Sequence, residues 1–372
     1  MATSEKSGLP NVGQVTSSSA GRYAFIDVLR GVAACLVVFQ HGGESVGWFS
    51  TTTGIGPEVN FGQIGVLTFF LVSGFVIPLS LERANSLGKF WKHRAFRIYP
   101  LYLVIFALEF LRCIAGQGPF SLGAVHNLGL FFLSHLFFLQ DYVYRPNFVG
   151  ASWTLAMEFA WYIMLSAAFV IRANRRSVFL TVITVLGLLT LSAASYVLHL
   201  RIPLGRCGIM ATCVVGLLFY RLHTSEISFR TFLILVGSII GAIVPALYVG
   251  FGVFDRAEVA TVQSVFISWG IAYLLFMGCY AARKQSVMRF RPLLALGTIS
   301  YSVYLLHPLV ESLISSMNVQ GTVFMAILFL VTIVLSSLTY RYIEKPGIEY
   351  PRRVERKKQE RLEIQAQALA ND

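Results

Sequence analysis

The sequence predicts an all-α fold, a polytopic helical bundle of about ten transmembrane helices with one short re-entrant or interfacial segment. Three observations predict it. Of 372 residues, 56% are hydrophobic and only 13% charged, with a mean hydropathy of +0.67, a balance from which no water-soluble surface can be built. Apolar stretches of about 20 residues, the length that crosses a bilayer, recur along nearly the whole chain. The basic residues fall in the short loops between those stretches and in the tail.

Taken in order, residues 1–20 are polar and rich in Ser and Gly, without the charged-then-apolar order of a secretion signal, and read as a disordered cytoplasmic lead. Residues 21–345 form one membrane domain, with spans near 25–42, 61–81, 98–115, 152–171, 178–198, 206–222, 231–251, 262–282, 292–314 and 321–343. With Lys6 and Arg22 inside, the 43–60 loop, which holds Glu44 and Glu58 but no Lys or Arg, is external. The next loop, with Arg83, Lys89, Lys92, Arg94 and Arg97, is cytoplasmic.

The apolar stretch 128–139 tests this layout. Counted as a crossing, it would send Arg172, Arg175, Arg176, Arg283, Lys284, Arg289 and Arg291 outside; read as re-entrant or interfacial, it keeps them all inside with Arg221 and Arg230. About a dozen apolar residues is also short for a crossing. The layout therefore has ten crossings and both termini in the cytoplasm. Residues 116–151 become an external excursion whose stretch 139–147 serves either as a contact for a hydrophilic acceptor or as a structural loop with interfacial tyrosines. Residues 346–372 form a basic cytoplasmic tail, expected to be a solvated helix or an anchor to anionic lipid headgroups.

Composition also excludes function classes. Topology accounts for the net charge of +12, which removes the case for a nucleic-acid partner. The five cysteines lie in or beside apolar segments and read as small core residues, and no Cys/His spacing suggests a metal. There is no Gly-rich nucleotide loop, zinc-protease motif or serine nucleophile elbow.

The polar residues inside the spans are few. Arg30 and His41 lie eleven residues apart on one face of the first span, about 16 Å along its axis. Ionisable groups at membrane depth mark a site by default, the alternative being side chains that snorkel to the two interfaces. Asp27, one turn before Arg30, is placed to pair with it. Glu158 has no positive residue one turn away, so its partner comes from another helix, or it is protonated or faces water. Tyr304, His307 and Glu311 share a helical face beside Tyr301, with Pro308 expected to kink the helix; from the residues alone His307 reads as a structural histidine ahead of a functional one. Ser73-Gly74 fits close helix packing or a ligand passage. Arg94 and Arg97, one turn apart, suit a phosphate-bearing ligand or simply set topology.

In order, Arg30 and His41, then Phe69-Phe70-x-x-Ser73-Gly74-Phe75, Arg94-x-x-Arg97-x-x-Pro100, the Trp153 to Glu158 segment and Ser300-Tyr301 through His307-Pro308 resemble the membrane-bound acyltransferase-3 family. The resemblance spans about residues 20–345 and implies a bacterial inner-membrane enzyme. Such an enzyme moves an acyl group, most often acetyl, from acyl-CoA to a sugar hydroxyl of lipopolysaccharide, exopolysaccharide or a nodulation factor. It implies His41 as the essential histidine, acting as general base or transient acyl carrier, and Arg30 as its partner. Arg94 and Arg97 match the arginine pair associated with coenzyme A, with Ser73 assigned beside them, Glu158 as a further catalytic candidate, and Tyr301, Tyr304 and His307 as cavity residues. Acetyl-CoA enters as a substrate, and no permanently bound cofactor or metal is expected. The partners implied are the lipid bilayer, acyl-CoA and a carbohydrate acceptor, including one carried on a polyisoprenoid. Functions that need the soluble domain some members carry after the membrane part are not expected. A transporter or flippase, or a non-catalytic scaffold, is the competing reading.

Overall fold

Apolar stretches interrupted by capping residues give a succession of helices. The computed structural model describes residues 23–49, 58–119, 125, 127–143, 147–254 and 261–371. The helices are α1 (Ala24–Ser45), α2 (Phe61–Ala84), α3 (Leu87–Ile114), α4 (Leu128–Leu136), α5 (Ser152–Val170) and α6 (Ser177–Val197). After them come α7 (Leu204–His223), α8 (Phe229–Leu247), α9 (Val262–Ala281), α10 (Arg291–Ser315), α11 (Gly321–Thr339) and α12 (Lys345–Asn371). Side-chain caps set several starts: Asn60 accepts from Gln63 N at 2.7 Å, Asn127 from Leu130 N at 2.9 Å and Ser228 from Thr231 N at 3.1 Å. Asn85, left-handed at φ 45°, ends α2. The lead at 1–20, with Lys6 and Arg22, lies outside the described residues.

Nine helices among the described residues are long and apolar enough to cross a membrane, and they match nine of the ten expected spans. The tenth, α3, carries Arg97, Glu109 and Arg112 in its apolar half. It also starts at Leu87, well before the expected 98, because Phe90 is buried in an aromatic group with Trp91 and Tyr162 that extends the helix into what reads as a loop. Helix α4 is only 9 residues, about 14 Å, too short to cross. Its His135 is buried, with Nδ1 2.9 Å from Phe131 O and Nε2 accepting from Phe148 N. Helix α10 continues through Pro308 to Ser315.

The described part of the 139–147 stretch is held at both ends by polar contacts. Gln140 is fully buried and donates to Asn147 and Ser152, while Asp141 accepts from Asn147 at 2.9 Å and pairs with Arg206 at 3.2 Å. These contacts tie the two ends of the stretch together, although Gln140 Oε1 accepts no hydrogen bond among the described residues, and they leave Tyr142 exposed; residues 144–146 lie outside the described residues.

Small residues bring the functional helices together. A Cβ on Gly297 of α10 would lie 1.9 Å from the Asp27 carbonyl of α1, and one on Gly31 would lie 2.9 Å from Gly297 N. The two backbones touch where any side chain would hold them apart. Gly74 and Gly216 make the same kind of seam between α2 and α7, so Gly74 is used for packing.

The basic loops gather at one end of the bundle. There Tyr23 meets His223 at 4.9 Å between ring centroids, and Arg221, 0% exposed, binds Glu82, both Glu226 oxygens and Asn174 O. Tyr220 donates to the other Glu82 oxygen at 3.0 Å.

The tail departs in part from expectation. Helix α11 runs through a π-helical turn, Tyr340–Glu344, straight into α12. The root of α12 lies on α3: Tyr350 stacks on Phe96 at 5.0 Å, and Glu355 pairs with His93 at 3.1 Å. Beyond that contact the tail is a largely exposed helix.

Candidate active site

Two polar groups sit at different depths along α1. The deeper one is built around Arg30, which lies within electrostatic reach of Arg97, Glu344, Asp27 and Glu158, residues from α3, the π-helical turn, α1 and α5. Glu158 accepts from Tyr162 and lies 3.5 Å from the Ser73 hydroxyl, so its partners come from its own next turn and from α2. Arg94 lies over the Phe90 and Tyr162 rings, 5.6 and 5.7 Å from their centroids. Among the described residues, the Arg30 and Arg97 guanidinium groups make no hydrogen bond or ion pair, which leaves their donors available to a ligand. Arg97 thus stands with Arg30 among the helices of the bundle, within electrostatic reach of it.

The second group is at the other end of α1. His41 and His307 face each other with ring centroids 5.3 Å apart. The sequence leaves two readings, buried site residues or side chains reaching the two interfaces; His41 is near the end of its helix with a side chain 48% exposed, α1 ending one turn later. Glu44 lies 3.4 Å from His41 Nδ1, Gln40 donates to Glu44 at 2.7 Å, and Gln40 accepts from Phe61 N at 2.9 Å. The Ser45 hydroxyl donates to Glu311 of α10, joining the end of α1 to that helix. His307 is buried, and neither ring nitrogen makes a well-formed hydrogen bond, with the Val303 and Tyr304 carbonyls beside it.

Tyr304 lies between the groups. Its ring is 5.8 Å from His307, its hydroxyl is 2.9 Å from that of Thr154, and it is within electrostatic reach of Glu158. Tyr301, one turn deeper, donates to Ile98 O at 2.8 Å and faces Glu344, Glu158 and Arg97. Of the sequence-chosen residues, Arg30, Asp27, Arg97, Glu158, Ser73 and Tyr301 stand together, with Arg94 beside Tyr162. Tyr304 and His307 mark a line from that group toward the exposed imidazole of His41, about 16 Å away along α1, its steps being electrostatic reach and ring separations of 5.8 and 5.3 Å rather than a chain of hydrogen bonds.

Sequence reasoning missed Glu344 and Glu44. Glu344 is 1% exposed, accepts from Ser302 at 3.0 Å and faces Arg30 and Arg97, yet in the sequence it lies one residue past the last expected span and is given no role. Glu44 carries a signal that was available, since it stands one turn beyond His41 on the same face.

Known proteins agree with this architecture. A family model described as an acyltransferase domain matches residues 23–341. Acyltransferase MdmB of Streptomyces mycarofaciens is 37% identical over 113 residues, covering 27% of each chain. Nodulation protein 10 of Rhizobium leguminosarum bv. viciae is 30% identical over 169 residues, 41% of this chain and 46% of that protein. The putative peptidoglycan O-acetyltransferase YrhL of Bacillus subtilis (strain 168) is 26% identical over 368 residues, 86% of this chain and 54% of its own. The chain thus spans about half, or less, of the length of these relatives, and no solved structure matches it. With the match running from the start of α1 to the end of α11 and taking in Arg30, Arg97, Glu158, His41 and His307, the chain belongs to the acyltransferase-3 family.

Proposed function

We propose that this protein is a membrane-bound O-acyltransferase that moves an acyl group, acetyl by preference, from acyl-CoA to a hydroxyl of a cell-envelope or secreted carbohydrate. The observation that carries the reading is the polar line between unpaired interior arginines and an exposed imidazole at the far end of the same helix. Arg94 and Arg97 hold the phosphates of coenzyme A from the cytoplasm, and the long pantetheine arm follows the line to His41. The acceptor, free or carried on a polyisoprenoid, approaches His41 from outside. Its hydroxyl oxygen attacks the thioester carbonyl while His41 takes the hydroxyl proton; the C–S bond breaks, and the proton passes to the departing thiolate. A transient acyl-imidazole on His41 is the two-step version of the same transfer. Arg30 orients the donor or offsets the developing negative charge, and Glu158 holds the tyrosines along the path.

The relatives' names support acyl transfer, and for YrhL O-acetylation of peptidoglycan, at low identity. The test is the ester-linked acetate on surface polysaccharides of a deletion strain carrying wild type or His41→Ala at equal membrane levels. Wild type restores acetylation, and His41→Ala lowers it by about 100-fold or more. Equal restoration by both would remove His41 from the chemistry.

A further inference from the structure

The imidazole at the outer mouth is held by a built arrangement rather than by a chance surface pair. Glu44 Oε2 faces His41 Nδ1 at 3.4 Å, while Gln40 donates to Glu44 Oε1 at 2.7 Å. Gln40 is itself buried and accepts from the first backbone N–H of α2, Phe61 N, at 2.9 Å. An isolated exposed pair one helical turn apart would need none of this; here the carboxylate is tied through Gln40 to a second helix. The His307 ring, tilted 33° and 5.3 Å away, limits rotation of the His41 ring from the other side.

We infer that Glu44 is a positioning residue for His41, fixing the tautomer that carries its proton on Nδ1 and turns Nε2 toward the acceptor hydroxyl, with Gln40 fixing the carboxylate in turn. This rests on the acyltransferase reading. A carboxylate against one imidazole nitrogen leaves the other as the acceptor of a proton, and stabilises the imidazolium formed when the hydroxyl proton arrives. The proton then leaves Nε2 for the thiolate, so Glu44 itself neither gains nor loses one. Because Glu44 touches neither donor nor acceptor in this role, its loss reduces turnover without weakening acyl-CoA binding.

The experiment uses the purified full chain in liposomes with acetyl-CoA as donor and N-acetylglucosamine oligomers as the acceptor probe, reading release of the free thiol in wild type, His41→Ala, Glu44→Gln and Glu44→Asp. Glu44→Gln lowers kcat by about 10- to 100-fold with KM for acetyl-CoA within about twofold, and Glu44→Asp recovers most of the loss. A Glu44→Gln kcat within about twofold of wild type, or a fall carried by KM, overturns the inference. A second readout needs no turnover. Carbethoxylation by diethyl pyrocarbonate at pH 8, with the His41→Ala trace subtracted, reports the nucleophilicity of His41. Glu44→Gln slows it by about threefold or more, and an unchanged rate overturns the inference. If wild type and His41→Ala release thiol equally, it is the acyltransferase reading that fails, and the carbethoxylation rate alone decides the role of Glu44.

Discussion

Arg97 carries more of the proposed chemistry than its place in a basic stretch suggests. It faces Arg30, Glu344, Tyr301 and Tyr162, and no direct protein partner fixes its guanidinium. Two guanidinium groups that share a partly accessible interior repel each other unless an anion joins them, and nearby Glu344 and Glu158 relieve only part of that repulsion. Arg97→Lys keeps the charge but loses the planar fork that grips phosphate in two places. It raises KM for acetyl-CoA by about tenfold with a smaller change in kcat, measured by thiol release over a range of donor concentrations. At this scale much of the site was legible, because an arginine, a histidine and a glutamate inside apolar spans stand out against their neighbours. Glu344 was not, since its burial depends on Ser302 of α10 and on the two arginines, and no local pattern reports contacts made across three elements.

The helices act as supports that bring those residues into one line. The seam at Gly31 and Gly297 sets α1, with Arg30 and His41, against α10, with Tyr301, Tyr304 and His307. Gly297→Val would push its side chain into the Asp27 carbonyl and force the two helices apart, costing about 1–3 kcal/mol or more. Its expected outcome is a smaller monodisperse peak in detergent size-exclusion chromatography, and lower activity in the protein that remains folded. Helix α3 has two working faces. His93 and Phe96 meet the tail helix, while Arg94 and Arg97 look toward the site. Periodicity gave the apolar half of this helix but not its start, because the amphipathic first turns are fixed by Phe90, Tyr162 and the tail, partners distant in the sequence. The segment between α3 and α5 reverses the case: the length of the 128–139 stretch marked it as too short to cross, while the contacts of Gln140 and Asp141 with Asn147 were beyond any pattern.

Over the whole molecule, charge and shape agree. The ends of α2, α5, α7 and α9, the start of α3 and the tail gather on the face where Arg175, Arg221 and Arg283 lie, as expected if that face is cytoplasmic. In intact cells a membrane-impermeant maleimide is therefore expected to label Asn318→Cys, in the turn between α10 and α11, and to reach Lys284→Cys only after the membrane is opened. The reverse pattern would place His41 inside and remove the outward-facing acceptor from the mechanism. The knot of Arg221, Glu82, Tyr220 and Glu226 also bears on how the chain is made. Glu82 and Arg221 are 139 residues apart, and Arg175, from the turn after α5, reaches the same carboxylate at 3.9 Å. The order of synthesis thus offers Glu82 an exposed basic partner first, and the fully buried Arg221 only once α7 exists to pack on α2.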